Sequence, residues 1–478
     1  MTDNRLKPLV VDLDGTLTTS DSLVEAMLSV LFQRPETLVP ACRSLLKGRA
    51  SFKQFLADLG VYSPNSLPLR DDLLAYLVAE QKAGRQLHLA TAANQSVADG
   101  IAARVGIFSS ALGSSDGVNV KGKVKLAHLK ERFPDGFSYA GNDRSDLHVW
   151  SEATSAVIVN ASEATRRAAR KLGTPVEREF PAQHVTFREW SRAVRIHQWS
   201  KNLLLFVPLL LAHRYHDVSA ILTVLVGFLC MGLVASGTYL LNDLSDLDAD
   251  RAHITKRNRA VASGAISAGT AVVLALVLMG GGLVGGTLLN LPFAGLLLAY
   301  CTLTLSYSLR FKRTPMFDVF LLGSLYTLRV FMGIVLIDAP VSPWLVTFSL
   351  FFFFSLAMAK RHVEIARAGA ASISGLIKGR GYTAEDAPLT LTFGISSGLV
   401  AILILFLYVA NDAYPMGSYK HPEWLWLTGF LVFLWLSRIW LLSSRRELDD
   451  DPVAFAVDDP LSWFLGALML GILLMAVL

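Results

Sequence analysis

Apolar and polar positions alternate on very different length scales in the two halves of this chain. Up to about residue 180, short apolar runs break off into polar clusters, as strands and loops of a soluble domain do. From about residue 200 the apolar runs lengthen, and crossing a hydrocarbon core takes about 20 residues. Nine such runs lie near 202–216, 218–241, 270–290, 292–309, 317–337, 341–359, 388–411, 423–443 and 461–478. The first is the weakest, because Pro208 interrupts it and His213 and Arg214 end it. Large buried core helices explain so many runs poorly, so an all-α polytopic membrane domain of nine helices is expected.

In the soluble half, "KPLVVDLDGTLTTSDS" is an apolar run that delivers Asp12 and Asp14 into a glycine turn. One carboxylate can attack phosphorus while the other, two residues on, handles the proton. "QLHLATAANQ" ends in Thr91, whose hydroxyl suits a phosphate oxygen, and "VNVKGKVKLAHL" places Lys125 near a helix start. "FSYAGNDRSDL" ends in Gly141, Asn142, Asp143 and Asp146, oxygen donors suited to Mg²⁺. Strand followed by chemistry-bearing loop, repeated, predicts a doubly wound α/β domain with its site at the strand C-termini. Residues 166–190 read as a closing helix and polar linker, which puts domain limits at 1–175, 176–190 (linker) and 191–478.

Composition sharpens this division little. Hydrophobic residues make up 53% and charged residues 17% of the 478, and the net charge is +5. Basic residues gather in alternate loops: Arg188, Arg192, Arg195 and Lys201; Arg251, Lys256, Arg257 and Arg259; Arg310, Lys312 and Arg313; Lys360, Arg361, Arg367, Lys378 and Arg380; Arg445 and Arg446. The intervening loops carry only Arg214 and Lys420. With nine crossings, the positive-inside rule places the N-terminal domain in the cytosol and the C terminus outside. The basic excess is therefore spent on inner-face loops and does not argue for nucleic acid. Cys42, Cys230 and Cys301 show no paired spacing, so neither a disulfide framework nor a zinc site is expected. "MTDNRLKPLV" lacks an apolar core segment, and no cleavable signal peptide is expected.

The second apolar run ends in "NDLSDLDADRAHITKRNRAVASG". If the helix continues past Asn242, then Asp243, Asp246 and Asp250 share one stripe and Asp248 points elsewhere. Like charges at that spacing on a low-dielectric rim need a counter-cation. Hard oxygen donors select Mg²⁺, which commonly completes its shell with substrate phosphates. The bland alternative is a solvated acidic cap, but Arg251, Lys256, Arg257 and Arg259 follow at once. Carboxylates for a metal beside guanidinium groups for phosphate form a diphosphate-binding pattern. Arg329 lies within an apolar helix, where an ionisable group usually faces an interior cavity; Arg438 has the same character without a nearby site. The glycines of "MGGGLVGG" read as close helix packing, and Trp199 as an interfacial anchor.

The soluble set resembles the haloacid dehalogenase (HAD) superfamily of phosphatases over about residues 8–165. That resemblance implies Asp12 as nucleophile, Asp14 as acid/base, and Thr91 and Lys125 as phosphate binders. It further implies Mg²⁺ held by Asp12, the Asp14 carbonyl, Asn142 and Asp146, and a mostly helical cap over about 19–85. Asn142 stands where many relatives place an Asp, so weaker metal binding or a degenerate regulatory domain stays open.

The pattern N-D-x-x-D-x-x-x-D-R on a loop between membrane helices resembles the UbiA-type prenyltransferase superfamily over about residues 188–478. General members carry a second motif, D-x-x-x-D, between helices six and seven. Here "AMAKRHVEIARAGAASISGLIKGRGYTAED" stands there instead, with Lys360, Arg361 and Glu364 in the expected place. "RIHQWSKNLLLFVPL", "YSLRFKR" and "AKRHVEI" are similar to one branch, the decaprenyl-phosphate phosphoribosyltransferases. The resemblance implies transfer of 5-phosphoribose from phosphoribosyl diphosphate to a polyprenyl phosphate at the cytosolic face of the inner membrane. Asp243, Asp246, Asp250 and Asn242 would hold Mg²⁺ on the diphosphate. Lys312, Arg329, Lys360 and Arg361 would position the phosphates, with Arg195, Lys201, Asn202, Arg257, Arg259, Tyr307 and Glu364 completing the substrate site. Arg195 and Lys201 also suit inner-face anchors, and Tyr307 with Lys312 an interfacial pair. An aromatic prenyltransferase acting on 4-hydroxybenzoate, or a non-catalytic scaffold, are the competing readings; self-association is left open.

Overall fold

The computed structural model describes residues 7–60, 64–115, 117–182, 185–369, 381–414, 419–448 and 452–478. Lys378 and Arg380 of the expected inner-face loop lie outside them. Two compact units divide the chain: Met1–Val194 with Leu240–Leu274, and Arg195–Tyr239 with Ala275–Leu478.

The first unit is built on six parallel strands in the order β3-β2-β1-β4-β5-β6. They are β1 (Leu9–Val11), β2 (Leu87–Asn94), β3 (Ser110–Ser114), β4 (Ser138–Gly141), β5 (Ser155–Val159) and β6 (Val176–Phe180). Leu9 pairs with Leu87 on one side and Ser138 on the other, so β1 is central. The run "LVV" is wholly buried because helices cover both faces of a parallel sheet. Chain direction reverses beside β1, and the crevice beyond the strand C-termini there is where such folds place ligands. Asp12 leaves β1 and Asp146 follows β4, so the topology delivers both to that crevice.

Three helices follow β1 within the stretch 19–85: α1 (Ser22–Gln33), α2 (Leu38–Leu46) and α3 (Arg49–Asp58). Around the sheet lie α4 (Asp71–Lys82), α5 (Gln95–Val105), α6 (Lys123–Arg132), α7 (Leu147–Trp150) and α8 (Glu163–Lys171). Val176–Phe180, inside the stretch expected to be linker, instead extends the sheet as β6. Its charged residues hid it: Glu177 pairs with Arg85, and Glu179 with Arg166 and Arg170. Helix α9 (Phe187–Ala193) closes this part of the unit.

The helical unit begins with an eleven-residue 3₁₀ segment, Ile196–Phe206, and α10 (Val207–Leu211). This is where the first apolar run was expected to be a helix. At the rises of 3₁₀ and α geometry the two pieces together cover about 30 Å, near the thickness of a hydrocarbon core. Pro208 sits in the first turn of α10, where its missing N–H costs nothing.

Eight helices among the described residues are long and apolar enough to cross a membrane, not nine. They are α11 (Val218–Ser245), α13 (Ala268–Leu289), α14 (Leu291–Leu309), α15 (Phe317–Leu336), α16 (Pro343–Gly369), α17 (Ala387–Tyr408), α18 (Leu425–Ser444) and α20 (Pro460–Val477). The short α12 (Leu247–Ala252) and α19 (Pro452–Asp458) intervene. Of the "MGGGLVGG" glycines, Gly282 and Gly285 meet α11 at Cys230 and Val234, and Gly286 meets Phe293 and Leu297. Gly280 and Gly281 touch nothing within 4 Å. Trp199 is not a simple interfacial anchor: its ring lies against Gly232, and its indole N–H donates to Ser236 Oγ at 3.0 Å.

Candidate functional site

The crevice of the first unit assembles what the sequence spread over 130 residues. Lys125 Nζ, buried at the start of α6, donates to Asp12 Oδ1 at 2.8 Å and to the Tyr139 hydroxyl at 2.7 Å. Tyr139 in turn donates to Asp146 Oδ1 at 3.1 Å, while Asp146 Oδ2 accepts the Asn142 and Asp143 N–H groups at 2.9 Å. Thr91 is fully buried within β2, which runs on past it to Asn94, and its Oγ1 accepts the Ala93 N–H at 3.0 Å. Asp14 is held from α1: Ser22 N–H donates to Oδ1 at 2.8 Å and Ser22 Oγ to Oδ2 at 3.1 Å.

Glycine is required in the acidic turn. Gly15 has φ +74°, and a Cβ there would stand 2.1 Å from Asn142 Nδ2. Burial, reinforced by the Asp21 and Asp12 charges, pushes Asp14 up to about 7, so a proton is lost and regained there near neutral pH. Burial and the Asp12 charge likewise raise Asp146 to about 6. Among the described residues no three acidic, His or Cys side chains converge here. Asp12 and Asp146, linked through Lys125 and Tyr139, are nevertheless buried carboxylates whose repulsion a divalent cation would relieve, with Asn142 and the Asp14 carbonyl as further oxygen donors. These residues fit Mg²⁺.

The aspartate-rich segment belongs to the same unit. The helix does not continue through it. Helix α11 stops at Ser245, Asp246 takes φ −101° and ψ 12°, and α12 starts afresh at Leu247. The single stripe is therefore broken, although Asp243 and Asp250 are buried and Asp248 is exposed as expected. Arg259 Nη1 bridges the buried pair, 3.0 Å from Asp243 Oδ1 and 2.6 Å from Asp250 Oδ2. Among the described residues no three acidic, His or Cys side chains converge as a fully protein-made metal site needs. A converging pair of carboxylates still fits Mg²⁺, which takes one or two and leaves the remainder to water and phosphate. Asn242 lies in the last turn of α11, with its carbonyl accepting the Asp246 N–H at 3.1 Å. Arg257 is exposed in the turn Lys256–Asn258.

Sequence reasoning missed the partner of Arg251. Its guanidinium grips Glu25 of α1 through two bonds, 2.8 and 2.7 Å, and its Nε donates to Ala262 O at 3.1 Å. Glu25 is 2% exposed, a burial that no local pattern in the sequence announces.

In the helical unit, Arg329 is buried on α15 with neutral partners only. It donates to Asn202 Oδ1 (3.1 Å), Leu325 O (2.7 Å) and the Tyr300 hydroxyl (3.0 Å), and stacks over the Tyr300 and Tyr326 rings. No carboxylate pairs with it among the described residues. Asn202 Nδ2 is buried beside it without a hydrogen-bond partner among them. Lys201 lies over the Tyr326 ring at 5.8 Å and Arg195 over Tyr239 at 5.1 Å.

Lys360, Arg361 and Glu364 were expected on a loop but lie on α16, which continues to Gly369. Arg361 is buried against Glu364 and against Asp318, 2.6 Å away on α15. Asp318 was also missed. An acid in the first turn of an apolar helix carries the same signal as Arg329. Tyr307 ends α14 and Lys312 lies in the following turn, both half-buried. Arg438 is accounted for by Asp459, which it meets at 2.7 and 2.9 Å.

The model of the UbiA prenyltransferase family matches residues 203–465, more than half of the chain. This chain belongs to the UbiA prenyltransferase family. Protein y4nM of Sinorhizobium fredii is 44% identical over 473 residues, 99% of this UbiA-family chain and 92% of that protein. Nodulation protein NoeC of Azorhizobium caulinodans is 32% identical over 284 residues, 58% of this chain and 90% of NoeC. The decaprenyl-phosphate phosphoribosyltransferase of Mycobacterium tuberculosis is 32% identical over 187 residues, 38% of this chain and 62% of that enzyme.

Proposed function

We propose that this protein is a membrane transferase that moves 5-phosphoribose from phosphoribosyl diphosphate to a polyprenyl phosphate. Its N-terminal unit then acts as a HAD-type phosphatase that removes the 5-phosphate of the product. The observation that carries the transferase reading is Arg329, a guanidinium buried in a membrane helix with only neutral partners among the described residues. An uncompensated cation at such depth calls for an anionic ligand. The mycobacterial relative supplies the substrate class, since its name is that of a decaprenyl-phosphate phosphoribosyltransferase.

Asp243 and Asp250, with Asp246 and Asn242, are the groups that would hold Mg²⁺, which when bound neutralises charge on a departing diphosphate. Arg259, which bridges Asp243 and Asp250, is the guanidinium that would pair with the diphosphate. Lys360, Arg361, Lys312 and Arg329, with Lys201, Asn202 and Tyr307, would position the two phosphates, that of the lipid and that at the ribose 5-position. The lipid phosphate is anionic at neutral pH and needs no general base. In the N-terminal unit, Asp12 attacks the phosphomonoester, Asp14 protonates the leaving hydroxyl, and Lys125 and Thr91 hold the phosphoryl oxygens. The protein sits in the cytoplasmic membrane with this unit on the cytosolic side.

Purified protein is offered labelled phosphoribosyl diphosphate with polyprenyl phosphate and, separately, prenyl diphosphate with 4-hydroxybenzoate. The expected product is a phosphoribosylated lipid from the first pair alone. Asp246→Asn abolishes it, and Asp12→Asn leaves the 5-phosphate attached. Turnover of the second pair alone, or undiminished transfer by Asp246→Asn, refutes the assignment.

A further inference from the structure

The crevice around Asp12 opens into a cavity of about 900 Å³, far more room than a phosphoryl group needs. Its wall is chemically mixed. Asp12 and Asp14, which follow β1, and Lys125 of α6 line it. So do the cations Lys53 and Arg49 of α3 and the apolar side chains of Met27, Phe52 and Leu45.

The two cations of α3 are not neutralised as the others are. Lys125 is paired with Asp12 and Lys121 with Asp143. Lys53 Nζ instead donates to neutral oxygens, Ala92 O at 2.5 Å and Asn119 Oδ1 at 3.0 Å. Burial pulls its ammonium below the usual lysine range, with the Asp14 and Asp21 charges opposing. Arg49 makes no ion pair or hydrogen bond among the described residues. Of the apolar side chains, Phe52 is packed against Ala26 and Leu56, whereas Leu45 is 48% and Met27 45% exposed. Ser267, which follows the aspartate-rich segment in the chain, also lines the cavity.

Resting on the phosphatase reading above, we propose that this cavity selects a doubly anionic, amphiphilic phosphomonoester. The terminal phosphate lies at Asp12 and Lys125, and a second phosphate one sugar away lies between Lys53 and Arg49. The start of an apolar tail lies against Met27, Phe52 and Leu45. A ribose bearing a 5-phosphate and a lipid-linked phosphodiester at C1 has these three parts in this order. The chemistry balances as hydrolysis. An Asp12 oxygen forms a bond to phosphorus as the ester P–O bond breaks, Asp14 gives its proton to the sugar oxygen, and water then releases inorganic phosphate from Asp12. The second phosphate is not cleaved; it is an anchor.

Full-length protein in detergent is assayed for phosphate release from ribose 5-phosphate, ribose 1,5-bisphosphate and farnesyl-phosphoryl-5-phosphoribose, counting only release lost in Asp12→Asn. Charge-assisted contacts to the second phosphate predict kcat/KM for the bisphosphate about tenfold or more above that for ribose 5-phosphate. The farnesyl compound gains a further severalfold from its tail. In the double variant R49A/K53M the first ratio falls to about one, and R49K/K53R restores most of it. Equal rates on all three substrates overturn the anchor while leaving the phosphatase reading intact. No Asp12-dependent release from any of them overturns both.

Discussion

Glu25 and Arg251 stand 226 residues apart in sequence and meet in a buried bidentate ion pair. The side chains are 2% and 9% exposed, so little water shares the contact. Substituting one partner leaves the other charge buried, which costs about 3–5 kcal/mol. At 1.4 kcal/mol per tenfold, the opened population of this segment rises roughly a hundredfold to a few thousandfold. Replacing both with apolar side chains of similar volume removes both desolvation penalties and is far milder. Glu25→Met and Arg251→Met are therefore each expected to be severe, and E25M/R251M close to wild type. Limited proteolysis in detergent reads this directly, because cleavage of a transiently opened segment tracks its population. The contact also fixes the turn of α1 in which Ser22 holds Asp14, so phosphate release falls in the single variants. If both single variants cleave within about threefold of wild type, or the double variant is as damaged as the two combined, the pair is not what fastens the aspartate segment.

Two other substitutions probe separate parts of the molecule. Arg329→Met keeps the volume but removes the buried cation. Transfer should drop at least about a hundredfold while thermal stability in detergent holds or rises, because no buried carboxylate is left unpaired. Gly264→Ala strains a residue at φ +78° and places Cβ 1.9 Å from Thr19 Oγ1 and 2.9 Å from Pro68 Cγ. Destabilisation of the first unit by about 1–3 kcal/mol is expected in denaturant-dependent proteolysis.

Local pattern carried much of this protein into view. The acidic turn after β1 and Asp146 after β4 could be placed at strand ends because a parallel strand buried on both faces is a short apolar run. The long helices were visible for the same kind of reason: a membrane span must satisfy its backbone internally and cover its length with apolar side chains. Arg329 was visible because one charge in such a span has no solvent to explain it.

What the sequence by itself determined was therefore whatever a stretch of about twenty residues can settle through its own burial. Where partners lie far apart along the chain, only tertiary structure decided. The break at Asp246, the bridging of Asp243 and Asp250 by Arg259, and the pairings Glu25–Arg251, Asp318–Arg361 and Arg438–Asp459 leave no periodic trace. Strand β6 escaped notice because it is an exposed edge strand whose Glu177 and Glu179 pair with arginines on other elements. Periodicity reports which face of an element is buried; it does not report which charge will be waiting there.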